Sequence, residues 1–440
     1  MFGHPRGLIC LVITEAWERF SFYGMSALLG LYMLDALLLP GHAERVAGLT
    51  WLRLTLESLS GTLSTQALAS QIFGLYSGLV FFTPVLGGLI ADRWIGQRNA
   101  VVMGVLTMAA GHVAMIFDRA FLGALLLLVI GAGLLKGNIA AQVGALYPVD
   151  DEARRARGFM LFSTGINVGA VLGPLLCGLL AQLYGWHYGF GAAALLMLPA
   201  LATYLYGYRF LPARIGRPAR GAQPLTRRDW RTIAALALVI TIVVFPGTAY
   251  YQRANVFPVW LQDHAALNIG TLRIPVAWFQ SIDSLVSILA VPVLFWIWRV
   301  RARNGRESSD LGKIGWGAGV ITMSNLVLVG AIVVSGGGRM GAIWPVLYCI
   351  GMGIGLIFYW PVALSLVSQA APARVNSTMI SLTYLSIFLS NILAGWLGSD
   401  YERMSPPLFW ALHAAIAAVG GVLVLALRPW LARSLASPGS

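Results

Sequence analysis

Residues 120–147 read AFLGALLLLVIGAGLLKGNIAAQVGALY, an apolar run interrupted by a single charge, that of Lys136. A helix needs about 20 predominantly apolar residues to cross a hydrocarbon core of ~30 Å, and this run is longer than that. A transmembrane β-strand would instead alternate apolar and polar residues over about ten positions, and the run does not. The stretch therefore predicts a membrane-spanning helix.

The whole chain has the composition of a polytopic membrane protein. Of its 440 residues 58% are hydrophobic and 11% are charged, whereas soluble proteins carry roughly 25% charged residues. This deficit excludes a soluble cytosolic enzyme, a disordered protein and a nucleic-acid binder. Twelve apolar runs of spanning length are found at about 8–38, 70–92, 99–117, 120–147, 157–184, 189–212, 231–262, 272–299, 315–335, 341–370, 375–399 and 406–432.

The net charge of +13 is explained by topology. If the N-terminus is cytoplasmic, 21 of the 30 Lys and Arg residues fall in cytoplasmic segments, six in outer loops and three inside spans. Cytoplasmic loops of membrane proteins carry this excess of basic residues. We therefore predict a multi-pass protein of the cell (inner) membrane with both termini cytoplasmic, and we expect no nucleic-acid partner.

The twelve runs divide into two sets of six around a stretch rich in proline and arginine. We predict an N-terminal six-helix bundle at 1–212, a cytoplasmic linker at 213–230 and a C-terminal six-helix bundle at 231–440. Two similar halves of six helices are typical of transporters built from repeats.

One outer connection, residues 40–69, is also long. Within it Leu49, Leu52, Leu56 and Leu59 recur at helical spacing, which is typical of a short amphipathic helix at the outer surface. A loosely structured loop is the alternative interpretation, and the pattern leaves both open.

The first span contains charged residues on one face. Glu15, Glu18 and Arg19 stand at i, i+3 and i+4, so their side chains share a stripe of the helix. A charge near the bilayer centre costs at least ~2.5–3.5 kcal/mol, and the stripe has one negative charge in excess. Lys136, deep in the fourth span, would balance it. We predict proton or ion coupling at these four residues; a purely structural bridge between the two helices is the alternative.

A second set of polar residues lies in the seventh and eighth runs: Tyr250, Tyr251, Gln252, Arg253, Asn255, Gln280 and Asp283. Arg253 and Asp283 are the centrally placed charges of the second half, so we expect them to approach each other. Such a pair could bind substrate or hold two helices together, and the sequence favours neither.

No enzyme or metal motif is present in the sequence. It contains no GxSxG, no phosphate-binding Walker loop, no CxxC and no histidine pair at metal-ligand spacing. The three cysteines fall inside spans and are expected to be small buried side chains. We predict a protein that is not an enzyme, has no metal site and no cofactor, and draws its energy from an ion gradient.

The loop after the second span resembles a known motif. Residues 87–98 read GGLIADRWIGQR and are similar to the G-x-L-a-D-r-x-G-r-r motif of the major facilitator superfamily. The resemblance implies the major facilitator fold, with 12 transmembrane helices in two six-helix bundles. It also implies a cytoplasmic gate at Asp92 and Arg93.

A more specific resemblance begins in the first span. Residues 15–24 read EAWERFSFYG and resemble the ExxERFxYYG motif of the proton-dependent oligopeptide transporters. Supporting stretches are GLLKGN at 133–138, FSTGINVG at 162–169 and GWHYGFG at 185–191.

The resemblance to this family implies roles for individual residues. Proton coupling is expected at Glu15, Glu18, Arg19 and Lys136. The resemblance places Tyr23, Asn167, Gln252, Asn255 and Gln280 at the substrate site. The polar residues Tyr251 and Asp283 of the seventh and eighth spans complete the predicted substrate-binding set.

Some positions depart from the family pattern. Phe22 replaces the first tyrosine of the motif, Tyr251 stands where a glutamate is usual, and Leu356 stands at the acid expected to meet a peptide amino group. We hypothesise that Asp283 supplies the missing acid.

The predicted function is a proton-coupled symporter that imports di- or tripeptides, or a related small molecule, across the bilayer by alternating access. A proton-coupled exporter of drugs or metabolites with the same fold is the alternative.

Overall fold

The structure, a computed structural model, describes residues 4–148, 151–212, 225–270, 272–304, 308–372 and 374–435. It divides into two compact units: Met1–Arg217 with Asn268–Leu285, and Pro218–Leu267 with Val286–Ser440. Most of the predicted linker, residues 213–224, lies outside the described residues, and the predicted domain division stays a prediction.

The first unit is formed by seven helices and the start of an eighth. They are α1 (Arg6–Tyr32), α2 (Leu49–Ser60), α3 (Thr65–Ile90), α4 (Gln97–Ala114), α5 (Phe121–Ala145), α6 (Glu152–Tyr184), α7 (Trp186–Gly207) and the first residues of α11 (Gln280–Arg303). Short 3-10 or π turns lie at Met33–Leu37, Ala43–Arg45, Ala91–Ile95, Asp118–Ala120, Tyr208–Phe210 and Val276–Phe279.

The second unit contains the remaining helices. They are α8 (Arg227–Ile242), α9 (Val244–Tyr251), α10 (Phe257–His264), the rest of α11, α12 (Asp310–Val334), α13 (Ile343–Ala370), α14 (Asn376–Gly398), α15 (Pro406–Ala426) and α16 (Arg428–Leu435), with a 3-10 turn at Tyr401–Arg403.

Strands are confined to two short pairs in the described residues. In the second unit β1 (Ala265–Ala266) runs parallel to β4 (Met340–Gly341). In the first unit β2 (Asn268–Ile269) and β3 (Leu272–Arg273) form an antiparallel hairpin. The predicted all-helical membrane fold is confirmed, because these pairs hold two residues per strand.

Eleven helices of the described residues are long and apolar enough to cross a membrane. The remaining predicted span, 99–117, corresponds to α4, which has 18 residues and begins with the polar sequence Gln97-Arg98-Asn99. These three polar residues lower the mean hydropathy of the helix. Ala100 and Val101, which follow them, are fully buried.

In the first unit α1 packs closely on α6 because α6 carries glycine at every fourth position. A Cβ at Gly165 would come within 2.9 Å of the Val12 carbonyl oxygen, and one at Gly173 would overlap the backbone of Phe20. Such small residues let helix backbones approach in membrane bundles. A hydrogen bond from Ser21 Oγ to the Ala193 carbonyl oxygen (2.6 Å) fixes the other side of α1 on α7.

In the second unit the seventh predicted span is broken. The sequence predicts one run over 231–262, but the structure has α8, α9 and α10 there, with turns at residues 252–256 between the last two. Pro258 stands in the first turn of α10, where proline favours a helix start. Aromatic packing anchors α10, because the Trp260 ring lies 5.7 Å from that of Trp410.

Candidate functional site

The charged stripe of α1 forms a compact buried cluster. Arg19 Nε lies 2.8 Å from Glu15 Oε1 and 2.6 Å from Glu18 Oε2, so one guanidinium nitrogen faces both carboxylates. All three residues are buried; Glu18 is fully inaccessible. Because a buried charge is costly unless it is paired, this arrangement lets three charges remain in the interior. The sequence predicted the common face of the helix correctly.

Lys136 reaches the same cluster from α5, but it is held by aromatic rings. Its ammonium nitrogen lies 4.3 Å from the ring centroid of Phe22 and 4.7 Å from that of Phe81. Nζ is buried and makes no hydrogen bond among the described residues. The ring faces attract the cation by their quadrupoles. With all four groups ionised, Glu15, Glu18, Arg19 and Lys136 sum to zero charge, as the sequence analysis expected.

Gly169 of α6 packs against the turn of α1 that carries the charged cluster. A Cβ at Gly169 would overlap the Ala16 carbonyl oxygen and lie 2.9 Å from Arg19 Cβ. The backbone of α6 therefore supports the turn of α1 that carries the ion pairs. Gly137, beside Lys136, has room, since its nearest neighbour would be the Pro84 carbonyl oxygen at 3.5 Å.

Tyr23 and Asn167, two of the predicted substrate residues, lie in the first unit. Tyr23 is half-buried, with its ring 5.2 Å from that of Phe22 in a T-shaped arrangement. Asn167 is also half-buried, and its amide donates to the Ser163 carbonyl oxygen within α6 (3.1 Å).

Gln280 and Asp283 stand among the first residues of α11, the part of this helix up to Leu285 that belongs to the first unit. Two hydrogen bonds attach this segment to α6: Trp278 Nε1 donates to the Leu175 carbonyl oxygen (2.9 Å), and Ser281 Oγ donates to that of Val171 (2.7 Å). Gln280 is half-buried and Asp283 is buried. These bonds hold both predicted side chains on the N-terminal unit.

In the second unit the broken span is locked by polar contacts. Gln252 Nε2 donates to the Ala394 carbonyl oxygen (2.8 Å) and lies 3.0 Å from His413 Nε2. Asn255 Nδ2 donates to the same Ala394 oxygen (3.1 Å). Gln252 and His413 are fully inaccessible. Non-helical backbone at membrane depth needs such internal partners, so these contacts stabilise the break.

Tyr251 and Arg253 flank Gln252. Tyr251 is half-buried, with its ring 5.2 Å from that of Tyr250. Arg253 is 8% exposed, and its guanidinium lies 5.3 Å from the Tyr250 ring centroid. Because Arg253 and Asp283 belong to different units, their expected approach stays a prediction.

The predicted cytoplasmic gate lies in a π turn at the end of α3. Asp92 and Arg93 are both exposed, and Asp92 Oδ1 accepts a hydrogen bond from Gln97 Nε2 (3.3 Å). Gly96 has a φ of +77°, a conformation that glycine adopts readily, and it redirects the chain into α4.

Sequence reasoning missed Phe81, His413 and the Ala394 carbonyl as members of these clusters. A phenylalanine inside an apolar run does not indicate that a cation packs on its ring. A backbone carbonyl is present in every residue, so the sequence cannot indicate which one accepts a side-chain hydrogen bond. His413 offered a weak signal, as a lone histidine in an apolar span. In the described residues no group of three or more His, Cys, Asp or Glu could hold a metal ion.

Comparison with known proteins identifies the family. The family model of the Major Facilitator Superfamily matches residues 20–395. The chain belongs to this superfamily. Membership confirms the predicted major facilitator fold and places the chain among transporters, not enzymes.

Relatives of this superfamily member include peptide transporters, which confirms the resemblance inferred from the motifs. A peptide transporter of Yersinia enterocolitica is 28% identical, with 97% of this chain and 95% of that protein covered. A di-/tripeptide transporter of Lactococcus lactis subsp. cremoris is 29% identical, with 97% and 96% covered. The Yersinia alignment runs over 506 positions, more than the 440 residues of this chain, so that relative has segments with no counterpart here.

Solved structures agree with this assignment. A crystal structure of a peptide transporter POT in complex with sulfate is 26% identical, with a TM-score of 0.86 and coverage of 99% of this chain and 97% of that chain. A second peptide transporter POT structure, in complex with alafosfalin, gives 26% identity over the same coverage and a TM-score of 0.85.

Proposed function

We propose that the chain is a proton-coupled symporter that imports di- or tripeptides, or a related small molecule, by alternating access. The buried Glu15–Glu18–Arg19–Lys136 cluster carries this proposal most directly, because charges inside a membrane bundle are costly and mark substrate or proton pathways. The peptide-transporter relatives support the substrate class. No cofactor is required, since the proton gradient supplies the energy.

Proton loading changes the charge of the cluster. When either carboxylate takes up a proton, the formal charge of the four groups rises from zero to +1, and Arg19 keeps only one charged partner. A carboxylate on the substrate is then attracted to the first unit. Because binding linkage is reciprocal, substrate favours protonation of the cluster as much as protonation favours substrate.

Substrate contacts are proposed at Tyr23, Asn167, Tyr251, Gln280 and Asp283. These side chains are half-buried, except for Asp283, which is buried. Asp283 is assigned to the substrate's amino group, since Leu356 cannot take that role. Uptake by Asp283→Asn that kept the wild-type preference for a free amino terminus would refute this assignment.

Gln252 and Asn255, also among the predicted substrate residues, are assigned a supporting role. Both amide hydrogens of Gln252 have partners in Ala394 and His413, so Gln252 shapes the break and leaves only its carbonyl oxygen for a ligand. Asn255 supports the same carbonyl of Ala394.

The same proposal places the protein in the cell (inner) membrane with both termini cytoplasmic, and with protons, the peptide and lipid as its partners. The distribution of basic residues supports this orientation. Asp92 and Arg93 then lie at the cytoplasmic face, where we assign them to the gate.

Uptake by proteoliposomes tests the function. Purified protein in liposomes should accumulate a labelled dipeptide when an inward proton gradient is applied, and a protonophore should abolish the accumulation. Lys136→Ala should lose gradient-driven accumulation while it keeps gradient-independent exchange of substrate.

Lys313→Ala is the matched control, because Lys313 is the other lysine of the chain and pairs with Asp310 (3.2 Å) outside the cluster. It should behave as wild type. Accumulation by Lys136→Ala at the wild-type level would contradict the coupling proposal. Proton-driven efflux without proton-driven uptake would instead identify the exporter of drugs or metabolites.

A further inference from the structure

The outer helix α2 presents an apolar side that no other part of the described chain covers. Trp51 is 71% exposed, Leu54 62% and Leu59 81%. They stand at i, i+3 and i+8 and therefore share one side of the helix. Exposed clusters of large apolar side chains mark contact surfaces.

The polar groups on that side are already satisfied within the helix. Thr55 Oγ1 donates to the Trp51 carbonyl oxygen (2.9 Å), and Ser58 Oγ donates to that of Thr55 (2.7 Å). The hydrogen of each hydroxyl therefore keeps its acceptor when water is removed. The desolvation cost of this surface is therefore low.

The opposite side of α2 carries two charged residues that bind each other and the backbone of Leu63. Arg53 Nε pairs with Glu57 Oε1 (2.9 Å). Arg53 Nη2 donates to the Leu63 carbonyl oxygen (2.9 Å), and Glu57 Oε1 accepts from the Leu63 backbone nitrogen (3.2 Å). We call Arg53, Glu57 and Leu63 the clasp. It ties α2 to the connection that leads into α3, while Trp51, Leu54 and Leu59 stand on the other side of the helix and are exposed.

The position of α2 in the chain identifies what covers its apolar side. The helix connects α1 with α3, and both are membrane spans. Its 12 residues extend about 18 Å, too short to cross a hydrocarbon core of ~30 Å. Tryptophan is enriched where lipid headgroups meet acyl chains.

We propose that α2 lies along the bilayer surface, with Trp51, Leu54 and Leu59 inserted at the boundary between headgroups and acyl chains. Its partner is a phospholipid surface. The two charges of the helix, on Arg53 and Glu57, neutralise each other, so insertion depends on apolar area and not on anionic lipid.

Spin labels test this placement. Single cysteines at position 54 or 59 (Leu54→Cys, Leu59→Cys) receive a nitroxide, and the protein is reconstituted in phosphatidylcholine vesicles. The unsubstituted protein, whose three cysteines are buried, gives the labelling background. The water-exposed control is Glu402→Cys, because Glu402 is an exposed residue of the Tyr401–Arg403 turn. Collisions with oxygen and with a water-soluble nickel chelate are measured by power saturation.

We expect positions 54 and 59 to collide with oxygen several-fold more, relative to nickel, than position 402. The same ratio is expected when a third of the lipid is anionic phosphatidylglycerol. Nickel accessibility equal to that of position 402 would overturn the proposal, because the side would then face water. Protection from both reagents would overturn it too, since a protein surface would cover the helix.

Discussion

The ammonium of Lys136 lies 4.3 Å from the ring centroid of Phe22, on the helix that carries Glu15, Glu18 and Arg19. In the family motif that residues 15–24 resemble, the position of Phe22 is a tyrosine, so the hydroxyl group of that tyrosine is missing here. In the structure the position contributes a ring face, against which the lysine ammonium lies without forming a hydrogen bond.

Replacement of Phe22 tests the ring contact. Phe22→Leu removes the aromatic face and should weaken the hold on Lys136 by about 0.5–2 kcal/mol. We expect a lower midpoint of thermal unfolding in detergent and slower gradient-driven uptake. Phe22→Tyr, which keeps the ring, should retain wild-type uptake; equal losses in both variants would show that the ring face is not what matters.

Gly169 tests the support of the cluster by α6. Gly169→Ala puts a methyl group onto the Ala16 carbonyl oxygen, and overpacking of this kind costs typically about 1–3 kcal/mol. The unfolding temperature and the uptake rate should both fall. Gly137→Ala adds the same group where the nearest atom is 3.5 Å away and should be neutral or stabilising; indistinguishable variants would refute the packing argument.

Gln252 and His413 should be energetically coupled. Gln252→Leu leaves the imidazole acceptor without its donor, and His413→Leu leaves an amide hydrogen without its acceptor; each should cost about 1–3 kcal/mol. The double variant should cost less than the sum of both. Thermal unfolding of the four proteins measures the coupling, and strict additivity would mean that the contact contributes nothing.

The clasp should open in acid. The hydrogen bond from Arg53, followed by that from the Leu63 backbone, lowers the pKa of Glu57 below its usual range. A lowered carboxyl pKa means that the stabilisation is present above the ordinary glutamate value and is lost as the pH falls through the lowered one. A nitroxide at position 59 should gain mobility over that acidic range. Glu57→Gln should show no such transition, and a transition of the same size in this variant would assign it elsewhere.

A periodic pattern within one helix can be predicted from the sequence. Contacts with residues that lie far away in the sequence cannot. The positions of Glu15, Glu18 and Arg19 at i, i+3 and i+4 define their common face without tertiary information. Lys136 followed from charge balance. The aromatic support from Phe81 did not, because an apolar residue in an apolar span has no distinguishing pattern.

The break in the seventh span shows the same limit. Residues 231–262 form an apolar run of spanning length, interrupted only locally by Gln252, Arg253 and Asn255, so hydropathy predicts one helix. The turns at 252–256 are stable because Gln252 and Asn255 bind the carbonyl oxygen of Ala394, about 140 positions away in the sequence. Pro258, in the first turn of α10, is a local signal of a new helix start that the prediction of one run did not use. The hydrogen bonds from Trp278 and Ser281 to carbonyl oxygens of α6 could not be predicted from the sequence either.

The contacts of His413 determine which of its nitrogens carries hydrogen. Nδ1 faces the Phe409 carbonyl oxygen (2.8 Å) and must donate, whereas Nε2 faces an amide nitrogen of Gln252 (3.0 Å) and must accept. The lone pair of the imidazole is therefore occupied by a donor that cannot give up its hydrogen. If the proposed proton coupling holds, protonation of Nε2 would require the Gln252 amide to turn away, so this contact disfavours His413 as a second site of proton uptake.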